Sequence, residues 1–90
     1  MTFEWDDNKN QRNINKHGIS FQTAAKVFLD PNRLEMDDIL HSSKDEQRSI
    51  VIGMVHKVLF VVYTERGDAI RMISARRATD EEEEFYYDNL

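Results

Sequence analysis

Apolar and polar positions alternate along the chain in a way that marks out eight elements. Phe3 to Trp5 runs apolar, polar, apolar and reads as a short strand. Asp6 or Asp7 can cap a helix after it, and Gly18 can end that helix by turning left-handed after His17. This predicts a helix over about residues 7 to 17, polar on most faces, with Ile14 as its one aliphatic anchor. Ser20 is a second candidate N-cap. Phe21, Ala24, Ala25, Val27 and Phe28 follow at helical spacing, so one side of a second helix should be buried. Asp30-Pro31-Asn32 ends it in a turn.

The rest reads as strands until the tail. Arg33 to Leu40 alternates at Leu34, Met36 and Asp38, and His41 to Asp45 is a polar loop. Arg48 to Val55 is β-branched and apolar. Lys57 to Thr64 is apolar on both faces, which predicts a central strand, joined to its predecessor by a tight connection at Val55-His56-Lys57. Gly67-Asp68 between two strand runs signals a hairpin, and Ile70 to Ala75 is the last strand. Thr79-x-x-Glu82 has the form of a capping box, so a helix should occupy 79–90, with acids in its first turn to suit the helix dipole. The order is β-α-α-β-β-β-β-α. Short connections predict an antiparallel sheet with helices covering one face, an α+β fold.

Composition narrows the functions. Ninety residues (1–90) make one domain, since a second core would not fit. No Cys is present, which excludes a disulfide scaffold, a Cys-based zinc site and a thiol nucleophile, and fits a reducing compartment. The opening MTFEWDDNKN lacks a basic segment followed by an apolar one, so no signal peptide is expected. The longest apolar run, Val58 to Tyr63, is strand-length and far short of a membrane span. The net charge of -5 belongs to the tail. Residues 80–90 hold six acids and no base, and without them twelve bases face eleven acids. A balanced body with clustered arginines excludes nucleic-acid binding far less than the total charge does.

The candidate chemistry gathers near the last strands. Arg66 closes one of them. Arg71, Ser74, Arg76 and Arg77 lie on or just past its hairpin partner. Guanidinium groups bind phosphate bidentately and stabilise its extra charge in a transition state. Alternation gives Arg71 and Arg77 one parity, and Ser74 and Arg76 the other, so ideal strands cannot aim all four arginines at one ligand unless a bulge intervenes. The bland reading pairs these arginines with Glu65, Asp68 and the acidic tail. His17 is the best general acid–base candidate, with Lys16 beside it to supply charge; alternatively it serves the helix C-terminus. His41 falls in a loop and His56 in a turn, and three scattered histidines without Cys give no metal-ligand spacing. Trp5, Tyr63, Tyr86 and Tyr87 are candidates for stacking on bases or for the core.

Short elements, in order and at natural spacing over residues 3 to 79, resemble the BrnT family of type II toxin–antitoxin toxins. They are Phe3-Glu4-Trp5-Asp6 with Lys9 and Asn13; Lys16-His17-Gly18-Ile19-Ser20-Phe21; Ala24-Ala25 with Val27-Phe28 and Asp30-Pro31; Glu46 and Arg48; Tyr63-Thr64-Glu65-Arg66; and Arg71 through Ala78. The resemblance implies a RelE-like fold and a cytoplasmic bacterial or archaeal ribonuclease that inhibits translation without metal or other cofactor. It implies a BrnA-type antitoxin partner, contact with operator DNA only through that antitoxin, and a toxin dimer within a heterotetramer. The expected reaction is transesterification, in which the ribose 2′-OH attacks the adjacent phosphorus. On this view Arg66 and Arg76 stabilise phosphate, and His17 transfers protons or positions substrate. Lys9, Lys16, Arg48, Tyr63, Glu65, Arg71, Ser74 and Arg77 are expected to bind substrate.

One feature departs from the family pattern. The last helix reads DEEEEFYYDNL, where a mixed or basic one is expected. Glu81 to Glu84 repel an RNA backbone if they lie near it. The tail therefore points away, or shields the arginines in cis, or marks a copy that cleaves weakly. The alternative function is a module that holds the antitoxin and assists repression without cleaving RNA. An unrelated α+β interaction domain is the third, and strand order tests it.

Overall fold

The run from Val58 to Tyr63 becomes the middle of the molecule. In the computed structural model, which describes residues 1–90, five strands form one sheet in the order β1 (Thr2–Glu4), β5 (Ala69–Arg77), β4 (Lys57–Arg66), β3 (Arg48–Val55) and β2 (Leu34–Asp37). Neighbours pair antiparallel except β1, which runs parallel to β5. The helices are α1 (Asp7–His17), α2 (Phe21–Ala24), continued as a 3-10 turn over Ala25–Leu29, and α3 (Asp80–Asp88). The predicted order holds.

Capping fixes the helix ends. Asn8 N–H donates to the Asp6 side chain, and Gly18 takes φ 72° while its N–H donates to the Ile14 carbonyl. Ser20 caps α2 through Thr23 N–H, and Thr79 and Glu82 form the reciprocal capping box of α3. β2 stops at Asp37, short of the expected Leu40. The Asp38 N–H does reach the Arg48 carbonyl, but its own carbonyl turns to Ser42, which starts the loop.

Alternation builds two cores. Leu59, Val61 and Tyr63 of β4, with Val51, Ile70, Met72 and Ala75, pack under Phe21, Ala24 and Val27. Gly53 permits this approach, since a Cβ there would lie 3.1 Å from Val27 Cβ. On the opposite face Ile52 and Val58 pack against Tyr86 of α3, with Phe60 and Met54 beside them. Helices therefore cover both faces, where the sequence reading put them on one. The two apolar faces of β3 and β4 thus each meet a helix, the second face over part of its length only. Tyr86 also donates its hydroxyl hydrogen to Asp30, whose other bonds include one from Met54 N–H.

Candidate functional site

α3 covers only part of its face. Beyond Phe60 the face lies open, and the strand register sets what lines it. Ile52, Phe60 and Arg76 form one cross-strand row; Ile50, Val62 and Ser74 form the next; Arg48, Thr64, Arg71 and Glu4 form the third. This continuity depends on a bulge. Val62 pairs with Ser74 but Tyr63 pairs with Met72, so Ile73 is an extra residue in β5. The inserted residue reverses the parity of everything before it. Arg71 joins Ser74 and Arg76 on the open face, together with Arg48 and Arg66. Arg77, paired with Leu59, alternates to the other side.

Two adjoining hollows occupy this face. One, of about 470 Å³, is lined by Arg48, Ser74 and Arg76, by the apolar Ile50, Phe60, Val62 and Ile73, and by Asp38, Leu40 and His41 from the loop. The other, of about 410 Å³, shares Arg48, Ile73 and Ser74 and adds Lys9, Arg12, Lys16 and His17 of α1. What brings α1 there is Asn13. Beyond Arg71 the outer edge of β5 has no strand partner, and the buried Asn13 side chain takes its place. Its amide donates to the Ala75 carbonyl (2.9 Å) and accepts from Ala75 N–H (3.1 Å). It also donates to the Ile19 carbonyl, while Asn10 accepts from Phe21 N–H.

The charges on the two hollows differ. Each arginine of the open face has an acid within reach. Arg48 and Arg66 share Glu46 at 3.2 and 3.9 Å, and Arg71 meets Glu4 at 3.7 Å. Arg76 makes a bidentate pair with Glu82 (2.8 and 3.0 Å) and stacks over the Phe60 ring at 4.1 Å. The hydrogen bonds that Arg76 donates to Glu82 raise its pKa above the ordinary guanidinium value. Burial pushes the Glu82 carboxyl up, but Arg76 and the Thr79 cap outweigh it and hold that carboxyl below its ordinary value. By contrast Lys9, Arg12 and Lys16 have no acid within salt-bridge distance. The acidic helix thus contributes one carboxylate to the open face, on Arg76, while Glu81 and Glu84 are exposed.

Of the sequence-derived candidates, the structure gathers His17, Lys9, Lys16, Arg48, Ser74 and Arg76 around the two hollows. Arg66 shares their face but sits at the outer end of β4, beside a separate, acidic hollow lined by Asp37, Asp45, Glu46 and Glu65. Tyr63 is removed from the open face altogether. It is 3% exposed in the helix-covered core, edge-on to Phe28, with its hydroxyl on Glu35. Burial, then the Glu35 charge, pushes it up to about 12. Glu65 shares its parity and points away as well. Arg12, Asp38 and His41 were missed as site residues. The spacing Asp38-x-x-His41-Ser42, which runs from the predicted strand into the polar loop, was the available signal, but only the fold brings it against Arg48.

The fold and this face define a class: a small α+β protein whose sheet stays open on one side and is bordered by cations and imidazoles. Residues 5–82 match the family described as ribonuclease toxin, BrnT, of type II toxin–antitoxin system. The crystal structure of the ribonuclease toxin BrnT from Brucella abortus is similar, with a TM-score of 0.69 and 28% identity, over 89% of this chain and 99% of that one. A search of curated proteins finds no match. The chain belongs to the BrnT family of type II toxins.

Proposed function

We propose that the open face binds an RNA strand and cleaves it by 2′-OH transesterification, without a metal ion. The observation that carries this reading is the pairing of unneutralised cations on α1 with Arg48 and Ser74 on the sheet, around one uncovered surface. Lys9, Arg12 and Lys16 attract the phosphate backbone, and Arg48 and Ser74 hold the reacting phosphate. Arg76 and Arg66 add charge as phosphoryl negative charge builds, and His17 takes part in proton transfer. Arg71 contributes field from the next row, and Arg77 from the far side.

Within this reading the 90 residues act as one unit, in the cytoplasm, and inhibit translation by destroying RNA. A BrnA-type antitoxin neutralises the toxin as a heterotetramer built on a toxin dimer, and only the antitoxin touches operator DNA. The test is cleavage of a defined RNA by the full chain with EDTA present. Cleavage that Arg48→Ala, Arg66→Ala and Arg76→Ala each weaken is the expected result. Cleavage abolished by EDTA, or unaffected by all three substitutions, overturns the scheme. A second reading has its own support, because Arg48, Arg66, Arg71 and Arg76 of the open face each already meet a carboxylate. On it the chain holds its antitoxin tightly and cleaves nothing.

A further inference from the structure

Resting on the ribonuclease reading above, we propose that His41, oriented by Asp38, is the general acid that protonates the 5′-oxygen leaving group of the bound RNA. Asp38 is 8% exposed. Its backbone is fixed on both sides, with N–H donating to the Arg48 carbonyl and its own carbonyl accepting from Ser42 N–H and Oγ. Both carboxylate oxygens lie 3.0 Å from His41 Nδ1, and one also accepts from His41 N–H. The ring is thus gripped at one nitrogen. Its Nε2 has no partner within the chain, and the side chain is 66% exposed beside the hollow. A carboxylate behind an imidazole sets the tautomer, holds the ring's direction and provides a counter-ion for the charged form. Ser42 locks the same loop to the strand by accepting from Arg48 N–H.

Position completes the assignment. His41 lines one hollow and His17 the other, and Arg48 and Ser74 line both. A phosphate held at Arg48 and Ser74 has an imidazole on each side. Displacement in line at phosphorus brings the entering oxygen in on one side and expels the leaving oxygen on the other, so base and acid must come from different directions. The 2′-oxygen bonds to phosphorus as neutral His17 takes its proton. The bond from phosphorus to the 5′-oxygen breaks as His41 Nε2 gives that oxygen a proton. The products are a 2′,3′-cyclic phosphate and a 5′-hydroxyl end. No electrons are exchanged with any third species, and water restores both rings.

The experiment compares two oligoribonucleotides that differ only at the scissile bond, one with the ordinary 5′-oxygen and one with a bridging 5′-sulfur. A thiolate departs without being protonated, so the sulfur substrate needs no acid. His41→Ala in the full chain should slow cleavage of the oxygen substrate by about 10²–10⁴-fold, and His41→Gln similarly. Both should leave cleavage of the sulfur substrate nearly unchanged. Asp38→Asn, a positioning residue, should show a smaller loss confined to the oxygen substrate, whereas a purely structural role slows both. If the His41 variants cut both substrates at the parent rate, or slow both alike, the acid is not His41 and the ribonuclease reading stands. If the parent chain cuts neither substrate, that reading falls and the acid falls with it.

Discussion

Leu59, Val61 and Tyr63 point one way from β4 and disappear beneath α2 and the 3-10 turn, while Val58, Phe60, Val62 and Thr64 point the other way and meet a helix only at the first two. The two faces come from the same strands and the same alternation. One is closed over by Phe21, Ala24 and Val27, all with no exposed surface. The other is closed by Tyr86 at one end and left open at the other, where its side chains change from apolar to basic. Stability is concentrated where cover is complete, and the groups suited to chemistry stand where it stops. The open part needs no helix because Arg48, Arg71 and Arg76 flank it in the outer rows, where their alkyl stems cover apolar surface and their heads meet carboxylates.

Substitutions can break that contrast. Phe21→Ala should have the largest effect, a loss of about 3–5 kcal/mol from the cavity it leaves, read as a fall in the urea midpoint. Arg48→Ala should do the reverse. RNA cleavage should fall about 100-fold, with stability changed by less than about 0.5 kcal/mol. A large loss of stability there would show that the open face is structural after all.

Asn13→Ala tests the joint between the faces. It strands the N–H and carbonyl of Ala75, and should lower stability by about 2 kcal/mol. Cleavage should fall beyond what unfolding explains, because α1 no longer holds Lys9, Arg12 and Lys16 beside Ser74. Equal effects on stability and on cleavage would make it a purely structural residue.

Asp30 anchors the covered end, and its effect depends on pH. Burial pushes its carboxyl up, but bonds from Tyr86, Met54 N–H and Asn32 N–H outweigh this, so the folded value lies below 3.8. A depressed carboxyl contributes stability above its unfolded pKa, and that contribution is lost as pH falls through the folded one. Asp30→Asn should therefore lower stability by about 1–2 kcal/mol at neutral pH, and the gap from the parent should close in acid below about pH 4. A gap constant across that range would remove the assignment. Tyr86, pushed up to about 12 by burial and then by Asp30, stays protonated throughout.

The smallest effect belongs to Glu82→Gln. It weakens the capping box and the clamp on Arg76, at a cost of about 1 kcal/mol or less. With Arg76 released toward the open face, cleavage should rise by roughly two- to five-fold. A fall would mean that Glu82 positions Arg76 for its work.

Much of this architecture was legible beforehand. Gly18, Ser20 and Thr79-x-x-Glu82 are local devices, and each acts where it stands in the chain. The central strand was evident because Val58 to Tyr63 carries apolar side chains on both parities. The site was legible only in part. Arg48, Ser74 and Arg76 were named, but Tyr63 was placed with them although its parity sends it into the core. Asp38 reads as a strand position and His41 as a loop residue, since nothing near either in sequence points to the hollow they share.

By itself the sequence determined what depends on neighbours: the caps, the turns, the order of elements and the family motifs. Periods of two and 3.6 are written into local side-chain order. The tertiary structure alone decided what depends on register and on contact between distant segments. The extra residue at Ile73 turns Arg71 to the face of Arg76, because one inserted position reverses every side chain before it. Asn13 reaches Ala75 across 62 residues and sets four side chains of α1 beside the sheet. The acidic tail spends one carboxylate on Arg76 for the same reason, since the distance between Glu82 and a guanidinium is fixed by packing and not by composition.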